Sequence, residues 1–596
     1  MSVKLNGVDI VKIIFILLLP VFAFAQSTNF NPPYPRIGIQ QWGGGVTEFY
    51  ARYDFVDIGI IGGDVIASQI RQAHNDIILV PTSDWNAGAH VDTLHDEWVL
   101  RNSQGQLLNL YFEQDKFYDI TNYCPQVNGR RYNEYLPKFL TSGRVNFNIY
   151  DGVATDGLWN GSGNVDNGDV DLDRNGINDY TEHGAEWIEA QFEEGIDSVL
   201  VRLRRMMPAN KIILINSGGF HDWLWSHTNV IMVEDLSGIF GVEYLKSQYD
   251  GFIAQGANPA YPIFMTQPST DYAWTPVISK NDYSLMRFAL TFCLLGPGFM
   301  AFEDVESFEH YGGKWYDEFD VNLGYPTGSA SEVKPGVWAR TFDNGMSIFN
   351  GSGDTVTVMT NDLEFMPGYS PPYYRINGGQ DHTTNDGSLF DEVTLWGKLS
   401  YPDPGNPLLT ITHGDGLVLL KYQQTVVANI IIDNVESGTS PASVAATYGG
   451  TWTQTCDGAS NFYTVRCAEW LDFYGFARAD GAAGTCTAIF TPTIGVAGDY
   501  EIYEWHGKMT TGAATSVPYF INYNGGTITI NINQSVNQGK WNSLGIYSLS
   551  AGTSNYVRIT NNSSGTAMAD AIKFRNLTTS PGDTTPPAAP TGFYVY

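Results

Sequence analysis

Eight short apolar runs alternate with helical stretches between residues 35 and 310, and this alternation restricts the fold more than any other feature of the chain. The runs are Arg36–Trp42, Phe55–Gly62, Ile77–Pro81, Tyr150–Thr155, Lys211–Asn216, Val230–Val233, Pro262–Thr266 and Gly298–Phe302. Several are continuous, as parallel strands buried on both faces require. Helical spacing is clearest from His183 to Met207, where Trp187, Phe192, Ile196, Val199 and Leu203 recur on one face. Eight strand-then-helix units predict a (β/α)8 TIM barrel over residues 35–325.

The pattern then changes. Residues 326–425 predict a small antiparallel β-domain, with turns at Asp343-Asn344-Gly345 and Asn350-Gly351-Ser352-Gly353. Residues 429–577 alternate apolar and polar positions, as in Thr527–Ile532, and predict a β-sandwich. Residues 578–596 read as a Pro- and Thr-rich linker and the start of a further β-domain. At the other end, Lys4 and Lys12 precede or flank an apolar run that ends at Ala23-Phe24-Ala25. That is the pattern of a secretory signal peptide over residues 1–25, so the mature chain is expected outside the cell, without stable membrane insertion.

Composition narrows the partners. With 43% hydrophobic and 16% charged residues the chain folds and is not a disordered polymer. A net charge of −31 opposes nucleic-acid phosphates and anionic membranes, and leaves neutral glycans and metal cations. Five cysteines are too few for a disulfide framework in 596 residues. One pair among Cys456, Cys467 and Cys486 could bridge after export.

A barrel of this class places its active site at the C-terminal ends of the strands. There stand Trp42, Asp84, Trp85, Asp156, Trp159, Asn216, Glu234, Asp235, Gln267 and Glu303. Carboxylates, amides and tryptophans on one rim suit glycoside cleavage, which needs one carboxylic acid to protonate the leaving oxygen and one carboxylate as nucleophile or base. Asp156 is assigned nucleophile or base and Glu234 the acid; Asp151 and Asp235 are reserves. Trp42, Trp85 and Trp159 would stack on sugar faces, and Asp84, Asn216, Asp235, Gln267 and Glu303 would bind hydroxyls. Either catalytic carboxylate could instead bind sugar or cap the helix that follows. The chain has no Gly-x-Ser-x-Gly elbow, P-loop or His-Glu-x-x-His motif, and no organic cofactor is expected. The second reading of the rim is a barrel that binds glycan without cleaving it.

Three segments resemble the TIM-barrel glycoside hydrolases related in pattern to α-galactosidase and polygalactosaminidase-like barrels. They are strand 4, the run Val230–Gly238, and Trp315–Pro326 leading to Val337–Gly345. The resemblance spans about residues 35–425. It implies acidic residues after strands 4 and 6, which in this chain are Asp156 and Glu234.

The sharpest local motif is Asp171-Leu172-Asp173-Arg174-Asn175-Gly176-Ile177-Asn178-Asp179-Tyr180-Thr181-Glu182. It fits D-x-[DN]-x-[DN]-G-x5-E, in which oxygens at fixed positions surround Ca2+. The expected ligands are Asp171, Asp173, Asn175, the Ile177 carbonyl, Asp179 and Glu182. The Gly- and Asn-rich stretch before it cannot form the first helix of an EF-hand, so a lone structural calcium loop is expected.

The C-terminal segment resembles the golvesin C-terminal-like domain, which also stands beside xanthan lyases and is carbohydrate-binding-like. The residues that carry the resemblance are Ile431–Asn434, Gly450-Thr451-Trp452, Ala488–Pro492, Ala497–Tyr503, Gly539–Gly545 and Ala569–Ile572. It implies a binding or spacing role. Trp452, Trp505 and Trp541 are either ligand-stacking or core residues, and the core is the commoner place.

Overall fold

Period-2 alternation sorts the side chains of each barrel strand into one set facing the barrel axis and one facing the helices. The computed structural model describes residues 28–41, 50–59, 64–88, 94–110, 116–158, 168–216, 221–233, 241–266, 283–302, 316–377, 381, 383–402, 410–423, 430–433, 444–455, 476–479, 484–507, 509, 511–538, 541–561 and 565–577. Eight parallel strands pair in sequential order: β1 Gly38–Gln41, β2 Phe55–Gly59, β3 Ile78–Asp84, β4 Gly152–Asp156, β5 Ile212–Asn216, β6 Val230–Val233, β7 Tyr261–Thr266 and β8 Phe299–Phe302. A parallel bridge between Ile37 and Met300 closes the barrel, with Met300 N donating to the Arg36 carbonyl at 3.0 Å.

The inward set is apolar at the N-terminal end and in the middle: Phe55, Ile78, Val80, Ala154, Leu214 and Phe299 form part of one buried cluster. Arg36 lies at that end over the rings of Tyr34, Tyr261 and Phe299. The outward set joins the helices in a second, larger cluster. The helix Ala185–Met206 shows why it packs there, because Ile188, Phe192, Ile196, Val199 and Leu203 are all buried on one stripe. The helix expected from His183 to Met207 is present as Ala185–Met206, and a separate short helix precedes it. A turn of helix, Asp179–Glu182, ends at His183, and Gly184 at φ 87° redirects the chain.

Two of the expected boundaries shift in ways that matter. Strand β3 runs on to Asp84, so Ser83 and Asp84 lie within the ladder and not beyond it. Asp151 precedes β4, at the N-terminal end of the barrel. Its carboxylate meets Arg71 at 2.6 Å and accepts from Leu79 N at 2.9 Å. It therefore stabilises the floor of the barrel and is not a rim carboxylate.

After the barrel, five antiparallel strands are ordered Tyr374–Arg375, Asp415–Leu420, Gly345–Asn350, Val337–Thr341 and Ser331–Lys334. The helix Tyr283–Cys293 is buried from Ser284 to its end. Arg287 on this helix reaches Asp415 at 3.0 Å and Asp381 at 2.5 Å. From residue 430 to 577 two five-stranded sheets, largely antiparallel, enclose a core that includes Tyr500, Ile502, Tyr519, Val557 and Phe574. Trp505 is buried in this region. Trp452 donates to the Gly449 and Thr487 carbonyls, and one face of the Trp541 ring carries the Lys573 ammonium at 4.5 Å. Cys124, Cys293 and Cys486 are unbridged and buried, while Cys456 and Cys467 lie outside the described residues. Among the described residues no helix is long and apolar enough to cross a membrane. The signal-peptide residues 1–25 and the linker residues 578–596 lie outside the description.

Candidate active site and calcium loop

At the C-terminal mouth the inward set turns polar. β1 contributes Gln40, β2 Asp57, β3 Thr82 and Asp84, β4 Asp156 and β5 Asn216. Parallel register sets Asp84 directly beside Asp156. Asp156 is partly exposed, and its Oδ1 accepts from Asn216 Nδ2 at 2.5 Å. Asp84 is buried and accepts from Ala87 N at 2.9 Å, which holds the turn that follows β3. Thr155 binds across to the same turn by accepting from Trp85 N at 3.3 Å. Leu158 N donates to the Asn216 carbonyl at 3.2 Å, so the ends of β3, β4 and β5 form one cross-linked unit.

The structure thus brings Asp84, Asp156 and Asn216 together. It removes Trp85 from the expected sugar-stacking set: that ring has no exposed surface, and the Trp85 carbonyl accepts from the Tyr132 hydroxyl at 2.6 Å. A side chain packed on both faces can offer neither to a ligand. Trp42, Trp159, Glu234, Asp235, Gln267 and Glu303 lie outside the described residues.

Three polar groups below or beside the rim escaped the sequence reading. Asp57 and Gln40 are buried at paired positions of β2 and β1, and among the described residues Asp57 Oδ2 and Gln40 Nε2 have no hydrogen-bond partner. Burial pushes the Asp57 carboxyl up to about 8 against the donor from Thr82, and the nearby Asp156 adds to the rise. Asn86 is fully buried, with neither amide atom bonded. The available signal was the alternation itself, since Asp57 stands two residues from inward-facing Phe55.

The acidic loop folds around its own carboxylates. Asp171 accepts from Asn175 N at 3.0 Å and from Gly176 N at 2.8 Å; Asp173 accepts from Asn175 N, and Asn175 Oδ1 accepts from Ile177 N. Gly176 has φ 86°, a conformation a side chain would strain. Asp173, Asp179, Glu182 and His183 each offer a ligand atom, all within 4.8 Å of one another. Asp179 is fully buried, and its Oδ1 is without a hydrogen-bond partner. Burial raises its carboxyl above the ordinary range, followed by the lowering effect of Leu172 N. His183 is a member of the cluster that the motif did not include.

Comparison with known proteins assigns the two halves separately. Residues 70–346 match the model of hypothetical glycosyl hydrolase family 15, and residues 431–576 match the golvesin C-terminal domain. The barrel region is thus similar to that hydrolase family, and the sandwich to the golvesin domain. A xanthan lyase of Bacillus sp. (strain GL1) is 32% identical over 154 residues, which are 24% of this chain and 14% of the lyase. The chain therefore spans about a seventh of that relative's length. Similar solved structures include Arthrobacter globiformis T6 isomalto-dextranase complexed with panose. It is 12% identical over 93% of this chain and 96% of that chain, with a TM-score of 0.33. Paenibacillus xanthan lyase is 19% identical over 44% of this chain and 26% of that chain, with a TM-score of 0.22.

Proposed function

We propose that this chain, with its glycosyl-hydrolase-like barrel region and golvesin-like sandwich, is an exported enzyme that hydrolyses a polysaccharide at the barrel mouth. The observation that carries the reading is Asp156, half-open to solvent at the C-terminal end of β4 and oriented by Asn216 at 2.5 Å. A glycosidase needs a carboxylate held in this way: accessible to the anomeric carbon and fixed by a donor that does not itself react. Asp156 attacks, or deprotonates the attacking water, and Glu234 protonates the leaving oxygen. Glu234 follows β6 directly in sequence, two positions after inward-facing Met232. Asp84, beside Asp156, binds sugar hydroxyls. Trp42, Trp159, Asp235, Gln267 and Glu303 complete the subsites, and the sandwich holds the enzyme on its polymer. Residues 1–25 direct export.

The acidic loop binds Ca2+ through Asp171, Asp173, Asn175, the Ile177 carbonyl, Asp179 and Glu182, with His183 at its edge. An all-oxygen donor set suits a hard cation, and Asp179 Oδ1, 3.8 Å from His183 Nε2 and without a hydrogen bond among the described residues, is an atom such a cation would satisfy. Calcium would supply rigidity there, not chemistry.

The test is hydrolysis of a panel of purified polysaccharides by the parent and by Asp156→Asn and Glu234→Gln. Each variant should lose roughly a thousandfold or more in kcat/KM while unfolding at the parental temperature. Equal cleavage by parent and both variants removes the assignment. Binding of a glycan with no cleavage by the parent supports the non-catalytic reading instead.

A further inference from the structure

We propose that Asp57 is a positioning residue that stores one proton beneath Asp156, so that the barrel mouth carries a neutral carboxyl below its reacting carboxylate and loses activity when that proton leaves. The inference rests on the reading of Asp156 given above, but its protonation half is tested without any substrate.

Asp57 has surroundings that disfavour its ionised form. It is fully buried on the inward face of β2, and Thr82 Oγ1 is its one donor among the described residues. Its second oxygen faces no partner, and the amide nitrogen of Gln40, at the paired position of β1, is equally unpartnered. A buried carboxylate needs two or three donors or a cation to replace its hydration. Among the described residues, the titratable groups on the same inward face are Asp84 of β3 and Asp156 of β4, both acids. Arg36 stands at the opposite end of the barrel against Tyr34, Tyr261 and Phe299. Two carboxyl groups within one enclosed mouth share a proton more readily than they bear two charges. Asp57 is the more buried of the two, so burial favours the neutral form there. Burial places the loss of that proton at about pH 8. Above it a second negative charge stands under Asp156 and draws water or a shift of the β1–β2 floor.

The experiment compares the parent with Asp57→Asn, which keeps the shape and an acceptor for Thr82 while fixing the site as neutral. Infrared spectra across pH 5 to 9 should show a protonated-carboxyl C=O band in the parent that fades near pH 8 and is missing from the variant. On a polysaccharide the parent cleaves, kcat/KM should fall in the parent with a midpoint near pH 8. In Asp57→Asn that alkaline limb should move up by at least one pH unit while the acidic limb keeps its midpoint. Thr82→Val, which removes the donor but keeps the carboxyl, should also move the limb upward. Identical infrared spectra for parent and Asp57→Asn overturn the stored proton whatever the enzyme's substrate. A stored proton with an unmoved alkaline limb in both variants overturns the link to Asp156.

Discussion

Individual carboxyl groups set how this protein should respond to pH. Burial raises Asp54 to about 7, Asp57 to about 8 and Asp119 to about 6. Each binds its proton more tightly folded than unfolded. Their contribution to stability is therefore complete below pH ~4, the value for an unfolded aspartate, and is lost as pH rises through those three values. Thermal unfolding followed by circular dichroism should show Tm falling between pH 5 and pH 9, and falling less in Asp57→Asn. A Tm that rises across this window would contradict the burial of all three. The same scale separates what sequence can and cannot show about a residue. Asp156 and Asn216 were identifiable because both end apolar runs. Trp85 also ends such a run, yet its side chain is fully buried in the folded barrel, which no local pattern reveals.

At the scale of elements, the acidic loop is stapled to the excursion that follows β3. Arg174 donates to the Val99 carbonyl at 3.4 Å and also reaches that of Glu97, while Asp171 N donates to the Arg101 carbonyl at 2.8 Å. Asp169 accepts from Ser103 N and Oγ at 3.0 and 2.8 Å. The same excursion returns through Tyr118 N to the Asn86 carbonyl at 2.7 Å, close to Asp84. Calcium at the loop should thus stiffen the β3 side of the mouth. Chelation should lower Tm by several degrees, calcium should restore it, and Asp179→Ala should abolish the calcium response. A Tm indifferent to chelator and calcium would rule the loop out as a cation site. The acidic character of the loop was legible in advance because such a loop is local: its carboxylates come from twelve consecutive residues. The staples were not, since they join segments about 70 residues apart.

Across the whole molecule, the helix Tyr283–Cys293 ties the barrel to the antiparallel domain. Arg287, 7% exposed, holds Asp381 and Asp415 across that junction. Arg287→Met would leave the buried Asp415 and the partly buried Asp381 without their cation, at a cost of roughly 3 kcal/mol. Urea unfolding should then show a markedly lower midpoint, with the barrel and the antiparallel domain affected together. A parental midpoint would mean that the two domains are held by apolar packing alone. Arg287→Lys should recover part of the loss, since it restores charge but not the two-pronged geometry.

The sequence by itself determined the barrel, the two β-domains after it and the composition of the acidic loop. Each is written in a short-range signal: apolar runs of strand length, turn residues between them, or ligands spaced along a single loop. Tertiary structure alone decided that Asp84 and Asp156 stand side by side, that Asp151 serves the floor of the barrel, that Trp85 is core, and that Asp57 is buried beneath the mouth. Those outcomes depend on register between strands separated by tens of residues, and on which surfaces exclude water once the barrel closes. A carboxyl group's chemistry is set by its surroundings, and for Asp57 and Asp156 those surroundings come from strands far apart in the chain.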